Sequence, residues 1–195
     1  MRTFLRPGTL PIGRFNRVST GKSGKVSIDD APDEVGAIER AVAEAGGRNA
    51  YPRLLLSWLT AGQLSLAGLR LVLVEAWTIP EWPASHLTAR VWVSIFREAG
   101  FVSDPPDLRP PSEPLTVYRG ATFGRRRGMS WTLDLDRARW FASRSSLLTG
   151  RPVGMVFRSS IPPESVLAIM TGGRREAEVV VDPVGLPPIR RSDAT

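Results

Sequence analysis

The sequence predicts an α+β protein in which a helical amino-terminal lobe precedes a carboxy-terminal half rich in strands. From residue 31 to 101, apolar residues recur at spacings of three and four, which is typical of helices packed on a core. After residue 114 the pattern changes to short runs of alternating and β-branched residues. Hydrophobic residues make up 42% of the 195-residue chain and charged residues 23%. This composition is that of an ordinary soluble globular protein.

The helical lobe is expected to contain four helical segments. Asp33 can cap the first, and Gly46 and Gly47 end it. The other three are predicted at residues 52–59, 64–77 and 84–99. Within them, the apolar run 69–74 is short enough to be compatible with a strand as well.

Composition divides the remaining chain. Residues 1–30 predict a basic, largely irregular arm, either a solvated tail or a tether for nucleic acid. Five prolines in residues 102–114 indicate a stiff, extended linker. Residues 115–185 would form the strand-rich region, with one short helix at 136–143, and residues 186–195 a tail that frays.

The composition also excludes several chemistries. Cysteine is absent, which excludes disulfides, thiolate metal sites and a cysteine nucleophile, and the single histidine argues against multi-histidine metal sites. Net charge is +7, and 24 of the 26 basic residues are arginine. This bias favours polyanionic partners or reflects a GC-rich coding sequence. No apolar run suits a signal peptide or a membrane span, so a cytoplasmic protein without membrane partners is expected.

Three short motifs in the second half carry groups suited to chemistry. Arg119 ends a predicted strand, Ser130 lies in a second one, and Glu176 and Glu178 precede an apolar run in a third. Because side chains alternate along a strand, the two glutamates are predicted to share one face. An arginine here suits phosphate or carboxylate, although each residue taken alone also fits a purely structural role.

In this order, the motifs resemble those of the R-S-E class of mono-ADP-ribosyltransferases, which includes arginine-modifying bacterial toxins and phage enzymes. The resemblance covers residues 115–183 and rests on Tyr118-Arg119-Gly120, Ser130-Trp131-Thr132 and Glu176-Ala177-Glu178. It implies a split β-sandwich of the ADP-ribosyltransferase type. It also implies NAD⁺ as substrate, nicotinamide as product and no metal. Two departures are the short spacing of eleven positions between Arg119 and Ser130 and the replacement of the last two residues of the family's Ser-Thr-Ser triplet.

The resemblance also implies a role for each residue. Glu178 would stabilise the positive charge that develops on the ribose, and Ser130 would fix its rotamer. Arg119 would grip the NAD⁺ diphosphate, with Gly120 permitting close approach and Thr132 contributing to the same cofactor site. Glu176 would hold an incoming acceptor, most readily an arginine of a cytoplasmic protein.

Several alternatives stay open on the sequence alone. Water as acceptor would make the protein an NAD⁺ glycohydrolase, and the positive charge would equally suit a nucleic-acid acceptor. A protein of another class, a non-catalytic nucleic-acid-binding protein, would use the basic arm and Arg125, Arg126 and Arg127 to contact phosphates. Arg144 and Arg151 lie in a region where the family often clamps nicotinamide, and they are weaker candidates.

Overall fold

The computed structural model describes residues 31–105, 107–149, 154–172 and 177–192. The predicted basic arm, Arg151 and Glu176 lie outside these ranges. The described chain is a mixed α and β structure with a helical amino-terminal part and a seven-stranded sheet. This confirms the predicted α+β class.

Five helices form the amino-terminal part, and a sixth follows the third strand. Side chains cap three of them. The Ser65 hydroxyl accepts from the Gly68 N–H at 3.0 Å, and the Thr88 hydroxyl accepts from the Val91 N–H at 3.3 Å. The Asp134 carboxylate accepts from the N–H groups of Asp136 and Arg137 at 2.8 and 3.1 Å. The ambiguous run 69–74 is helical. The helices are α1 (Ala31–Glu44), α2 (Tyr51–Thr60), α3 (Leu66–Thr78), α4 (Pro83–His86), α5 (Ala89–Ala99) and α6 (Leu135–Thr149).

Three aromatic rings form the centre of the first core. Trp77 meets Trp92 edge to face at a centroid distance of 5.0 Å and meets Phe96 at 5.4 Å, and all three side chains are buried. Edge-to-face contacts stabilise beyond the area that they bury and hold each ring in one orientation. The same core continues into the sheet through Met170 and Val180, so helices and sheet share one apolar interior.

The sheet is mixed, with the strand order β1-β5-β6-β3-β2-β4-β7. The β1 and β5 strands are parallel, and the other neighbours are antiparallel. Its face away from the helices covers a second core that includes Val117, Trp131 and Phe157. The strands are β1 (Val102–Asp104), β2 (Leu115–Ala121), β3 (Ser130–Thr132), β4 (Met155–Ile161), β5 (Val166–Met170), β6 (Glu178–Val181) and β7 (Arg190–Arg191).

The pairing of β2 is strongly uneven. It runs beside β4 along its whole length, from Leu115 opposite Ile161 to Ala121 opposite Met155. Its described pairing with β3 is a single position, Tyr118 opposite Thr132. Among the described strands, β2 and β3 therefore have the shortest pairing in the sheet.

Several predicted boundaries differ from the structure. The helix predicted over 136–143 is the longer α6, and the first helix begins at Ala31, so that Asp33 lies inside it and is not its cap. Residues 102–104, predicted to begin the linker, form β1, because they extend the ladder of β5. The tail predicted from residue 186 is anchored, since Leu186 is buried in the second core and β7 pairs with β4. The single helix predicted over 84–99 is two helices, because Leu87 and Thr88 have extended backbone.

Gly120 fixes the distance between β2 and α6. A Cβ atom at this position would lie 2.0 Å from the Ala138 carbonyl oxygen and 2.4 Å from the Ala142 nitrogen, both backbone atoms of α6. The close packing of α6 on β2 is therefore sufficient to require glycine at this position.

Gly120→Ala should lower the free energy of unfolding by about 3 kcal/mol, because the helix backbone must move to admit the methyl group. Gly124→Ala is the matched control, since a Cβ atom there has open space around it. Urea unfolding of both variants measures the difference. Equal midpoints for the two variants would contradict the packing of α6 against β2.

Candidate functional site

One row of residues crosses the sheet. Asp104 lies opposite Met170, Met170 opposite Glu178, Glu178 opposite Thr132, and Thr132 opposite Tyr118. Directly paired residues project to the same side of a sheet. Strands are about 4.8 Å apart, so the backbones of Asp104 and Glu178 lie about 10 Å from each other. All five residues line one cleft.

This cleft has a volume of about 1120 Å³ and lies between the sheet and the helical part of the chain. Its helical wall is formed by residues 77–85, which run from the end of α3 into α4. This volume is slightly above the range of about 300–1,000 Å³ that is usual for small-molecule sites. The described residues of the predicted site all line it: Arg119, Gly120, Ser130, Thr132 and Glu178.

The Arg119 side chain links β2 to β3. Its Nε donates to the Arg125 carbonyl at 3.1 Å, and its Nη1 donates to the Ser130 carbonyl at the start of β3. Gly128 makes room for the guanidinium, since a Cβ atom there would lie 2.3 Å from Arg119 Nη2. A guanidinium has five N–H groups, so these two bonds leave donors for an anion.

The charge of Arg119 is influenced by its surroundings. Burial lowers its pKa to about 10, with nearby Arg125 adding to the decrease and the Glu178 carboxylate opposing it. The guanidinium thus remains positively charged at neutral pH. Arg119 and Glu178, which lie 59 positions apart in the sequence, both line the cleft.

Glu178 is held from the helical part of the chain. It is the first residue of β6, it is partly buried, and its Oε1 accepts a hydrogen bond from Trp77 Nε1 at 2.9 Å. The residue before it, Ala177, has a φ of 42°, in the left-handed region that disfavours a side chain. The glutamate therefore emerges from a sharp change of backbone direction at the edge of the cleft.

Ser130 and Thr132 approach Glu178 differently. Thr132 is directly opposite Glu178, and Ser130 is opposite Val180, one diagonal away on the same side of the sheet. Trp131 between them points to the other side and is buried in the second core. The resemblance gives the positioning role to Ser130, whereas the register also places Thr132 beside the glutamate.

The predicted pairing of Glu176 with Glu178 does not follow from strand alternation. Alternation requires extended backbone between the two residues, and Ala177 is left-handed. The described strand β6 begins at Glu178. Glu176 lies outside the described residues, so its role continues to rest on the motif.

Sequence reasoning missed much of the cleft lining. Trp82 is 63% exposed at the rim, and Glu81 beside it forms an ion pair with Arg48 across the helical wall. Phe141 also lines the cleft, from α6. These residues carry no motif, and only the fold brings them to the site.

Two further arginines also line the cleft. Arg125 follows β2, and Arg144 projects from α6 with its guanidinium 4.8 Å from the ring centre of Trp140. Arg126 instead lies over Phe123, at 3.8 Å from the ring centre. The cleft therefore combines a basic side with the carboxylate of Glu178.

None of the helices in the described ranges is long and apolar enough to cross a membrane. Comparisons of the chain with protein-family models, with curated proteins and with solved structures gave no significant match.

Proposed function

We propose that the protein transfers ADP-ribose from NAD⁺ to an acceptor, most readily an arginine side chain of another protein. One observation carries the proposal: Arg119, Ser130 and Glu178, which form the R-S-E pattern, come from three strands adjacent in the sheet and line one cleft. The cleft is also large enough for a substrate of dinucleotide size.

The short pairing of β2 with β3 supports an ADP-ribosyltransferase type of fold. The β2 strand carries Arg119 with one part of the sheet, and β3 and β6 carry Ser130 and Glu178 with the other. The site lies at the short pairing between β2 and β3. A split β-sandwich would open at this place, so the proposed fold and the proposed site agree.

The chemistry suits the groups present. The bond between the nicotinamide nitrogen and ribose C1′ breaks, and its electron pair leaves with neutral nicotinamide. The Glu178 carboxylate stabilises the positive charge that develops on the ribose more than it stabilises the uncharged ribose of the ground state. Arg119, with Arg125 and Arg144 nearby, holds the diphosphate. The acceptor nitrogen then bonds to C1′ and loses a proton, for which Glu176 is the proposed base.

A second function is favoured by the surface beside the cleft. Phe123, Arg125 and Arg127 are exposed, and exposed aromatic and basic residues suit nucleic acid. In that case the protein binds nucleic acid without turnover of NAD⁺. Binding that weakens steeply with salt, with no release of nicotinamide, would identify this alternative.

Arg119→Lys tests the proposed diphosphate contact. Lysine keeps the positive charge but lacks the planar fork, so we expect the Kd for NAD⁺ to rise about 10-fold or more. Isothermal titration with NAD⁺ measures it, and Arg90→Lys on the exposed surface of α5 is the control. Equal affinity of both variants would contradict a diphosphate role for Arg119.

A further inference from the structure

We infer that Trp77, a residue of the helical lobe, is a positioning residue for Glu178 in the proposed reaction. The inference rests on the proposed function, because it assigns to Trp77 the orientation of the carboxylate that faces the ribose. The contact joins residues 101 positions apart. It makes the helical lobe a part of the active site, although all three motif strands come from the second half of the chain.

The direction of the Trp77 N–H group is set by packing. The side chain is 1% exposed, and its ring is held edge-on by Trp92 at an interplanar angle of 85° and by Phe96 at 73°. The indole has one polar hydrogen and no acceptor. A ring held on two sides can present that hydrogen in one direction, which is toward Glu178 Oε1.

Glu178 requires such support more than a residue inside a strand would. It begins β6 immediately after left-handed Ala177, where the regular ladder ends. A glutamate side chain has several rotamers, and catalysis requires the carboxylate in one place. A hydrogen bond from a neutral donor to a carboxylate is stronger than one between neutral groups, and it fixes the position of one oxygen.

A purely structural reading is that the buried indole N–H needs an acceptor and uses the nearest one. Trp92 makes this reading testable. It lies in the same aromatic cluster, it is equally buried, and its Nε1 donates to the Pro83 carbonyl at 3.1 Å. The two tryptophans differ in that the acceptor of Trp77 is the proposed catalytic carboxylate.

The experiment compares Trp77→Phe with Trp92→Phe. Both substitutions keep an aromatic ring and remove one indole N–H, so similar losses of thermal stability are expected. We expect Trp77→Phe to lower kcat for nicotinamide release about 10-fold with little change in KM for NAD⁺, because Arg119 is untouched. Trp92→Phe leaves the Trp77 N–H in place and keeps an aromatic ring beside it, so kcat should stay within about twofold of the wild type. If the wild type is active and the two variants have equal kcat values, the inference about Trp77 is wrong and the proposed function still stands.

A second measurement keeps both tryptophans. Glu178→Gln should shift the indole ¹H–¹⁵N resonance of Trp77 and leave that of Trp92 in place, because the donor loses a charged acceptor. An unmoved Trp77 resonance would overturn the inference whatever the enzymatic result. A wild type that releases no nicotinamide would instead overturn the proposed function, so the two failures are distinguishable.

Discussion

Glu178→Gln should reduce nicotinamide release from NAD⁺ by about 100-fold or more, because the negative charge that opposes the developing oxocarbenium ion is lost. Glutamine has nearly the same shape, and its amide oxygen can still accept the Trp77 N–H. The substitution therefore isolates the charge of the carboxylate from its position. Hydrolysis of NAD⁺ and transfer to an acceptor should fall together, since both pass through the same cleavage.

The measurement is the rate of nicotinamide release by Glu178→Gln and by a control, Glu164→Gln. Glu164 is exposed in the short turn between β4 and β5, away from the cleft lining, so its loss should leave the rate unchanged. Normal release by Glu178→Gln would remove the central residue of the proposed mechanism.

Glu176→Gln should abolish arginine labelling while slow NAD⁺ hydrolysis persists. A guanidinium is a poor nucleophile while it is protonated, so the acceptor depends on a carboxylate that positions it and takes its proton. Water can attack without that help. The expected result therefore separates the two glutamates of the motif by function.

This prediction is checked by measuring nicotinamide release and labelling of a small guanidine acceptor in the same reactions. The Glu178→Gln variant run in parallel should lose both products. Wild-type arginine labelling by Glu176→Gln would show that the acceptor is positioned by another residue. Equal loss of both products in the two variants would show that the glutamates do not have separate roles.

Local patterns were sufficient for much of the fold. The apolar spacing around Ile38 and Val42 predicts α1, and the β-branched run Val179–Val181 predicts the body of β6. These patterns report a buried helix face or strand, which depends mainly on near neighbours in the chain. Proline content was a less reliable guide to where the linker begins. The strand β1 precedes the prolines and gains its stability from a distant partner, β5.

The residues of the site also fall into two groups, those that the sequence predicts and those that only the fold brings together. Arg119, Ser130 and Glu178 could be proposed from sequence because each lies in a short motif within or beside a strand that the local pattern predicts. Trp77 could not, since its contact with Glu178 depends on how the helical lobe packs on the sheet. The left-handed backbone of Ala177 could not be predicted either, because alanine carries no sequence signal for that conformation.

Nicotinamide release from NAD⁺ by the wild-type protein tests the central claim most directly. The account predicts continuous release that depends on Glu178, with ADP-ribose recovered on a guanidine acceptor when one is supplied and in solution when it is not. The contradicting result is a folded protein that releases no nicotinamide above background and binds nucleic acid with an affinity that falls steeply with salt. The cleft would then hold a structural arginine and glutamate, and the basic surface beside it would carry the function.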